Sequence, residues 1–310
     1  MALLTVKQLS DKYFMSSDYN GLSDKSKVDY KNFMNILLST EVDESVIQEA
    51  VAKRLTGPTA RKAYEQWLER GVPMANHICA VARKLYSFGM EMGYADMNPF
   101  ATFKRKTVKP RKTVWTQDEL RLFLDTAYSD YKYRSVGLIA QMAYEWCQRI
   151  GDMRTLKFDC VDLENGVLNL EQSKRGAVVH LPISDPMVAM LTQQQEDFGF
   201  QEYVAPYPRP RKGVYSPFSM ERLSRYAREI TRLAGLPDEL RLADLRRTGT
   251  TEMVEAGGGI AQIMSVTGHA NPQSVKPYMK NTLASAEYAL TERNNRVTSM
   301  TSAAKESVNT

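Results

Sequence analysis

Residues Leu242–Lys280, LADLRRTGTTEMVEAGGGIAQIMSVTGHANPQSVKPYMK, carry the strongest pattern in the chain. Apolar residues at helical spacing predict two helices, which three consecutive glycines separate. The first helix carries two adjacent arginines in a DLRRT motif, and the second ends at a TGH motif that a Pro-Tyr pair follows. The stretch therefore predicts two helices that present arginine, histidine and tyrosine side chains.

These side chains suit chemistry on a phosphodiester. The guanidinium groups of Arg246 and Arg247 can each match two phosphate oxygens at once, and they stay charged at any working pH. The hydroxyl of Tyr278 can attack phosphorus and conserve the bond energy as a phosphotyrosine. With the imidazole of His269 at a helix end, the combination indicates a phosphodiester as the substrate class.

The composition agrees with a soluble protein of two domains. The chain has 310 residues, 43% of them hydrophobic and 25% charged, which allows a sizeable core. A net charge of +5 fits a polyanionic partner without requiring one. Three widely separated cysteines suggest a reducing compartment. Neither a membrane span nor a zinc site is predicted, because no apolar run is long enough and no cysteines are paired.

Residues 1–103 predict a small helical domain. The apolar residues after Ser23 recur at helical spacing, and Gly-Pro and Asn-Pro pairs punctuate the region. We expect helices over Asp43–Leu55, Thr59–Leu68 and Met74–Met92, and no strand in this domain.

Residues 104–113 form a basic segment between the two predicted domains. The ordinary interpretation of such a charge run is a solvated linker. The alternative is a strap across a phosphate backbone. Both can hold, because a linker that joins two halves of a clamp must cross the DNA. The basic residues are Lys104, Arg105, Lys106, Lys109, Arg111 and Lys112.

Residues 114–295 predict a second domain of mixed α and β structure. Thr116 and Glu119 have the spacing of a capping box at the start of a helix. Runs of period two follow a largely buried helix, and Gly176 suits the turn of a hairpin. The expected helices are Val136–Cys147, Phe218–Leu233 and Leu283–Arg293, and the expected strands cover 155–161, 167–171 and 177–181. We expect the polar residues 296–310 to be a disordered tail.

Five residues of the second domain occur in a characteristic order. An arginine follows the buried helix, a lysine lies at the tip of the hairpin, and the DLRRT, TGH and Pro-Tyr motifs follow. This order and spacing resemble the tyrosine recombinases, the phage integrase family, over residues 112–295. The helical domain and the basic segment resemble the core-binding (SAM-like) half of that family, less specifically. The five residues are Arg149, Lys174, Arg246, His269 and Tyr278.

The resemblance implies a fold and an activity. The fold would be mainly α with a small antiparallel sheet, and the two domains would form a C-shaped clamp around duplex DNA. The activity would be site-specific recombination or integration through a covalent 3′-phosphotyrosine, for a phage or another mobile element. The implied partners are double-stranded DNA, a homotetramer on that DNA, and an excisionase or a host DNA-bending protein. Neither a metal nor a cofactor is implied, and the implied location is the host cytoplasm, at the nucleoid.

The resemblance also implies a role for each residue. Arg149 and Arg246 would hold the non-bridging oxygens of the scissile phosphate, and His269 would hydrogen-bond the phosphate. Lys174 would give a proton to the leaving 5′ oxygen. Tyr278 would be the nucleophile. Two further implied assignments are Asp152, which would orient Arg149, and Arg247, which would join the basic segment in binding DNA.

One position departs from the family pattern. The family usually has histidine three residues before the second arginine, and this chain has Ala243 there. Alanine cannot accept the tyrosine proton, so we expect water or His269 to substitute. Two other functions stay open: a weakened relative that binds DNA without cutting it, and an enzyme of the type IB topoisomerase kind that relaxes DNA as a monomer.

Ordinary structural roles compete with each assignment. Arg149 and Asp152 could be an ion pair within one helix. Lys174 could be a solvated turn residue, and His269 could interact with a helix C-terminus. Tyr288 is the alternative nucleophile, but its distance from the TGH motif does not fit the family.

Overall fold

The computed structural model describes residues 3–174, 176–279, 286, 287 and 289–297. The chain divides into two compact units, Met1–Arg111 and Lys112–Thr310. Each unit has an apolar core of its own.

The first unit is a helical bundle with a short hairpin. Its core is rich in aromatic side chains, among which Trp67, Tyr86 and Phe100 are almost fully buried. The indole nitrogen of Trp67 donates to Thr40 Oγ1 at 2.9 Å, which satisfies its buried N–H group. The helices of the described residues are α1 (Val6–Phe14), α2 (Ser17–Asn20), α3 (Asp24–Leu38), α4 (Gly57–Leu68) and α5 (Val72–Glu91), and the strands are β1 (Glu41–Val42) and β2 (Ser45–Val46).

The predicted helix over Asp43–Leu55 is wrong, and so is the absence of strands from the first unit. Strands β1 and β2 pair in antiparallel fashion instead. Asp43 and Glu44 join them with φ values of 50° and 65°, the geometry of a tight hairpin turn. Strands of two residues are too short to produce a readable alternation, and the turn lacks the glycine or asparagine that usually signals one.

The start of the basic segment is bound to the first unit. The backbone N–H of Lys106 donates to the Tyr64 hydroxyl at 2.8 Å, and its carbonyl accepts from Asn76 Nδ2 at 2.9 Å. Arg105 Nη1 donates to the Asn76 carbonyl at 3.1 Å. The basic side chains nevertheless remain exposed. This part of the segment is therefore anchored along helices α4 and α5, with its charges directed to solvent.

The second unit combines helices with one small sheet. Strands β3, β4 and β5 form an antiparallel sheet in that order, with Leu168 opposite Leu181 and Leu170 opposite Val179. The hairpin is confirmed, because Gln172 N donates to Ala177 O at 2.8 Å at its end. The elements of the described residues are α6 (Gln117–Tyr128), α7 (Tyr131–Glu145), α8 (Ile150–Met153), β3 (Val161–Asp162), β4 (Val167–Glu171), β5 (Val178–Pro182), α9 (Asp185–Phe198), α10 (Met220–Leu233), α11 (Leu242–Glu255) and α12 (Ile260–Thr267).

The last described residues, 289–297, are helical. Helical backbone therefore extends past the predicted helix end at Arg293 and past the expected start of the tail at residue 296. The predicted helix start at Leu283 and the tail residues 298–310 lie outside the described residues.

The predicted strand over 155–161 is largely wrong, since only its last residue belongs to β3. Lys157 is extended but pairs outside the sheet, with Tyr203, and Phe158–Cys160 form a 3₁₀ helix. Phe158 N donates to Glu202 O at 3.0 Å, and Leu156 O accepts from Val204 N at 2.9 Å. A loop, rather than a strand, supplies the partners. Periodicity over so few residues shows neither whether a segment stays extended nor what it pairs with.

Two features hold helix α11 against the rest of the second unit. Trp115 N donates to Thr248 Oγ1 at 3.0 Å, just before the confirmed capping box of Thr116 and Glu119. Gly249 faces the end of α7, and a Cβ there would lie 2.6 Å from the carbonyl oxygen of Tyr144. Glycine is required for this close approach, which brings α11 to the segment that follows α7.

Candidate active site

Arg149 directly precedes helix α8, close to the end of α7, and about a quarter of its side chain is exposed. Its Nη1 atom donates to Gln172 Oε1 at 2.6 Å. The Oδ2 atom of Asp152 is 3.8 Å from the same nitrogen, which makes an ion pair but is too long for a hydrogen bond. A neutral amide, rather than the expected carboxylate, therefore provides the short contact to this guanidinium.

Arg246 lies on the buried face of α11 and is only 8% exposed. Its Nη2 atom donates to the carbonyl oxygen of Thr267 at 2.8 Å, and its buried Nη1 atom has no hydrogen-bond partner among the described residues. Burial, and after it the positive charge of Arg149, lower the pKa of the Arg246 guanidinium to about 10. The side chain is still charged at neutral pH, so a buried positive charge and a spare donor are present.

His269 follows Gly268, which ends α12 in the left-handed region with a φ of 67°. The Thr267 hydroxyl donates its single hydrogen to Ile263 O at 2.7 Å, so at its 2.6 Å contact with His269 Nδ1 it must accept. The imidazole proton is therefore on Nδ1. The lone pair of Nε2 accepts from Arg246 Nη2 at 3.2 Å. This arrangement gives a neutral imidazole that presents its lone pair to the guanidinium.

Tyr278 lies in a 3₁₀ turn, Lys276–Tyr278, that the buried Val275 anchors. Its half-buried ring is 6.0 Å from the His269 ring, centroid to centroid. The guanidinium carbon of Arg247 is 5.3 Å from the centre of the Tyr278 ring, and Tyr278 also interacts electrostatically with Arg246. The phenol thus lies beside an imidazole and near two cations. The alternative nucleophile, Tyr288, lies outside the described residues.

Lys174 lies apart from these contacts. Its side chain is exposed on the turn between β4 and β5, and in the described part of the chain it forms no hydrogen bond with the other four predicted site residues. Its neighbour Ser173 is fixed, because the buried Asp152 accepts hydrogen bonds from the Ser173 hydroxyl and from its backbone N–H at 3.2 Å. Asp152 therefore connects the base of the turn to the segment that carries Arg149.

The exposed Ala243, at the position of the family's histidine, lines an apolar cavity of about 210 Å³. Trp115 and Ile150 are among the other lining residues, and Ile150 is the immediate neighbour of Arg149. A larger side chain at position 243 would have room here.

Sequence reasoning missed a buried glutamine at the centre of the site. Gln172 is fully buried, and its Nε2 atom donates to Gln148 Oε1 at 2.6 Å and to Thr267 O at 2.8 Å. A signal was available: Gln172 continues the buried face of β4 that Leu168 and Leu170 define. A polar residue on an apolar face must find partners, and the site supplies them.

The predicted site residues thus separate into a connected cluster and an exposed lysine.

A family model described as the phage integrase family matches residues 113–284, more than half of the chain. The chain belongs to the phage integrase family. As a member of this family of tyrosine recombinases, it is a site-specific integrase or recombinase. Arg149, Arg246, His269 and Tyr278 form a connected cluster in this integrase, whereas Lys174 is exposed on the neighbouring hairpin.

Solved integrase structures share the fold. A lambda integrase dimer bound to a COC′ core site has a TM-score of 0.73 and 19% identity, over 90% of this chain and 78% of that one. A lambda integrase tetramer on a Holliday junction has a TM-score of 0.73 and 18% identity, with the same coverage. The Tn1549 transposon integrase with circular intermediate DNA has a TM-score of 0.73 and 16% identity, over 93% and 99%. The expected mainly helical fold with a small antiparallel sheet is confirmed.

No curated protein matches the sequence significantly. Among the residues described, no helix combines the length and the apolar character that crossing a lipid bilayer demands.

Proposed function

We propose that this integrase cuts one strand of duplex DNA by attack of Tyr278 on the scissile phosphorus. The phenolate oxygen forms a bond to phosphorus, the bond to the 5′ oxygen breaks, and the products are a 3′-phosphotyrosine and a free 5′-hydroxyl. A 5′-hydroxyl from the partner strand then reverses the step and joins the strands. The observation that carries this proposal is the cluster that Tyr278 forms with His269, Arg247 and the buried, charged Arg246.

Arg149 and Arg246 hold the non-bridging phosphate oxygens in this proposal. Those oxygens gain charge in the pentacoordinate transition state, and the two guanidiniums stabilise that charge. The partners of Arg246 in the described residues are a carbonyl and a neutral imidazole, so its charge is not cancelled locally. Its Nη1 atom has no hydrogen-bond partner among the described residues and is buried, so DNA binding would have to expose this donor to the phosphate. Arg247, whose guanidinium carbon is 5.3 Å from the centre of the Tyr278 ring, binds DNA in this proposal.

Lys174 protonates the leaving 5′ oxygen. An ammonium group carries a transferable proton, which a guanidinium practically does not. In the free protein this side chain is exposed on the β4–β5 turn. DNA binding would therefore have to bring the turn to the phosphate. Asp152 holds the base of that turn and lies near Arg149, so we assign it the positioning of both.

His269 receives the proton of Tyr278 in the absence of the family's histidine. Its Nε2 atom carries a lone pair, as a base requires, and its ring is adjacent to the phenol. Arg246 must release this lone pair when it turns to the phosphate.

Restoring histidine at position 243 should speed cleavage. Ala243→His places a second base beside the site, in a position with room for it. We expect the cleavage rate of a suicide DNA substrate to rise by about tenfold or more. Ala243→Leu fills the cavity without a base and should not accelerate cleavage. An unchanged or slower rate with histidine would contradict a vacant base position.

The two units have different roles in the proposed function. We assign DNA contact to the helical unit, residues 1–103, and catalysis to residues 114–295. The basic side chains support this assignment, since they can neutralise phosphates. Those of residues 104–112 are exposed, and that of Arg247 is half-buried. The DNA-contacting residues are Lys104, Arg105, Lys106, Lys109, Arg111, Lys112 and Arg247.

Recombination requires four copies on two duplexes, and an excisionase or a host DNA-bending protein would assist. The apolar residues of 283–293 offer a surface for a neighbouring copy. Deleting residues 283–310 should leave DNA binding within about threefold and abolish strand exchange between two sites, because only the second activity needs neighbours. Deleting residues 298–310 alone is the control and should preserve both. Full recombination by the longer deletion would refute this role.

One assay tests the proposed function. The protein is incubated with nicked DNA whose downstream fragment diffuses away, and covalent complexes are resolved in denaturing gels. We expect a covalent complex whose phosphotyrosine maps to Tyr278 by peptide mass spectrometry. The alanine at position 243 favours the alternative of a relative that only binds DNA, and binding without any covalent complex would select it. Relaxation of supercoiled DNA without strand exchange would select a topoisomerase.

A further inference from the structure

We propose that Gln172 is a positioning residue that holds the two phosphate-binding arginines at a fixed separation. The proposal rests on the proposed function and concerns a side chain that does not itself touch the phosphate. Gln172 Oε1 accepts from Arg149 Nη1 at 2.6 Å, and Gln172 Nε2 donates to the Thr267 carbonyl at 2.8 Å. The same carbonyl accepts from Arg246 Nη2 at 2.8 Å. One amide and one carbonyl therefore link the two guanidiniums.

Both amide hydrogens of Gln172 are used, which fixes the orientation of the group. The second hydrogen goes to Gln148 Oε1 at 2.6 Å, and Gln148 Nε2 in turn donates to the carbonyls of Trp146 and Val266, each at 2.7 Å. Two fully buried amides thus join the residues before Arg149 to the residues before His269. A buried network in which every amide hydrogen has a partner resists rearrangement.

Gly268 packs tightly against the Gln172 amide. It covers this amide so closely that a Cβ would lie 2.5 Å from Nε2 and 2.7 Å from Cδ. The glycine of the TGH motif is thus required by the amide beneath it as well as by its own φ of 67°.

The linking groups are neutral, and this matters for the phosphate. The two guanidiniums repel each other, since the charge of Arg149 helps to lower the pKa of Arg246. A carboxylate at position 172 would relieve this repulsion but would also cancel the charge that the phosphate needs. The Gln172 amide accepts from Arg149 and donates to the Thr267 carbonyl, which also accepts from Arg246. This link adds no charge beyond that of Asp152, which is 3.8 Å from Arg149.

Cleavage kinetics of Gln172→Met test the proposal. Methionine keeps the length of the side chain and loses every hydrogen bond, so we expect cleavage of suicide DNA to fall about 100-fold. Affinity for the uncleaved site should change by less than about threefold, because other contacts supply it. Gln194→Met is the matched control: Gln194 is equally buried in helix α9, and its Nε2 atom has no hydrogen-bond partner in the described residues. It should cleave like the wild type.

A neutral scissile group separates positioning from a general loss of structure. With a methylphosphonate at the cleavage position, the transition state carries one negative charge fewer and depends less on both arginines. We expect the penalty of Gln172→Met to shrink to less than about tenfold on this DNA. A penalty equal on both DNAs, or cleavage at the wild-type rate, would overturn the proposal.

If Gln172→Met fails to fold in thermal unfolding, Gln172→Glu takes its place. The glutamate keeps the shape but lacks both donors, and it should show the same reduction on phosphate DNA. A wild type without any covalent complex would refute the proposed function. An active wild type whose cleavage rate is matched by the folded Gln172 variant would refute only the role of Gln172.

Discussion

Tyr278→Phe should abolish the covalent complex entirely. The substitution removes one oxygen atom, which is the attacking atom of the proposed reaction, and leaves the ring beside His269 and Arg247. With the attacking atom removed, we expect a loss beyond the detection limit of the suicide-substrate assay. DNA affinity should stay within about threefold of the wild type, since the phosphate contacts are retained.

The control for this prediction is Tyr131→Phe. Tyr131 is 58% exposed at the start of α7 and should be dispensable for cleavage. A Tyr278→Phe variant that still forms the complex would contradict the assignment. Loss of the complex in Tyr288→Phe instead would transfer the nucleophile to that residue.

Arg246→Met should separate activity from stability. Without the guanidinium the transition state loses two donors and a charge, so cleavage should fall about 100- to 1000-fold. The free energy of unfolding should not fall with the cleavage rate. The folded-state pKa of Arg246, about 10, is below the ordinary 12.5, so the folded protein disfavours the charged form. The cost in folding free energy is fully present below the folded-state pKa of about 10, and it disappears only as the pH rises through that value and through 12.5.

We therefore expect the free energy of unfolding of Arg246→Met at pH 7 to be unchanged or higher, by up to about 2 kcal/mol. Chemical denaturation measures it. Arg121→Met is the matched control, because Arg121 lies on the surface of α6 and forms exposed ion pairs with Asp118 and Asp125. It should alter neither cleavage nor stability by much. A large loss of stability in Arg246→Met would indicate a structural rather than a catalytic arginine.

The sequence predicted correctly those elements whose structure depends on residues close by in the chain. The capping box at Thr116, the strand at Val167–Glu171 and the helix break before Gly259 are confirmed, because each depends on residues within one or two turns. The hairpin at Glu41–Val46 and the loop pairing of Leu156 with Val204 were not predicted, since their partners are set by tertiary contacts.

The candidate site shows the same division. The residues that carry charge or a reactive hydroxyl were identified by type and order. Gln172 was not, although it forms three of the contacts that assemble the site. An amide in a sequence gives no indication of its partners when they lie far away in the chain. Ala243 was identified as a departure, but only the coordinates show the cavity beside it.

The large sequence separation of the residues in the amide network has a consequence for the protein during its synthesis. Gln172 is 95 residues from Thr267, and Gln148 is 118 residues from Val266. Contacts between such distant segments form late, after most of the chain has been ordered. A nascent chain on the ribosome has Arg149 long before the carbonyl that aligns it exists. In the proposed function, a chain that ends before Thr267 therefore lacks the contact that aligns Arg149, and the assembled site exists only when translation is nearly complete.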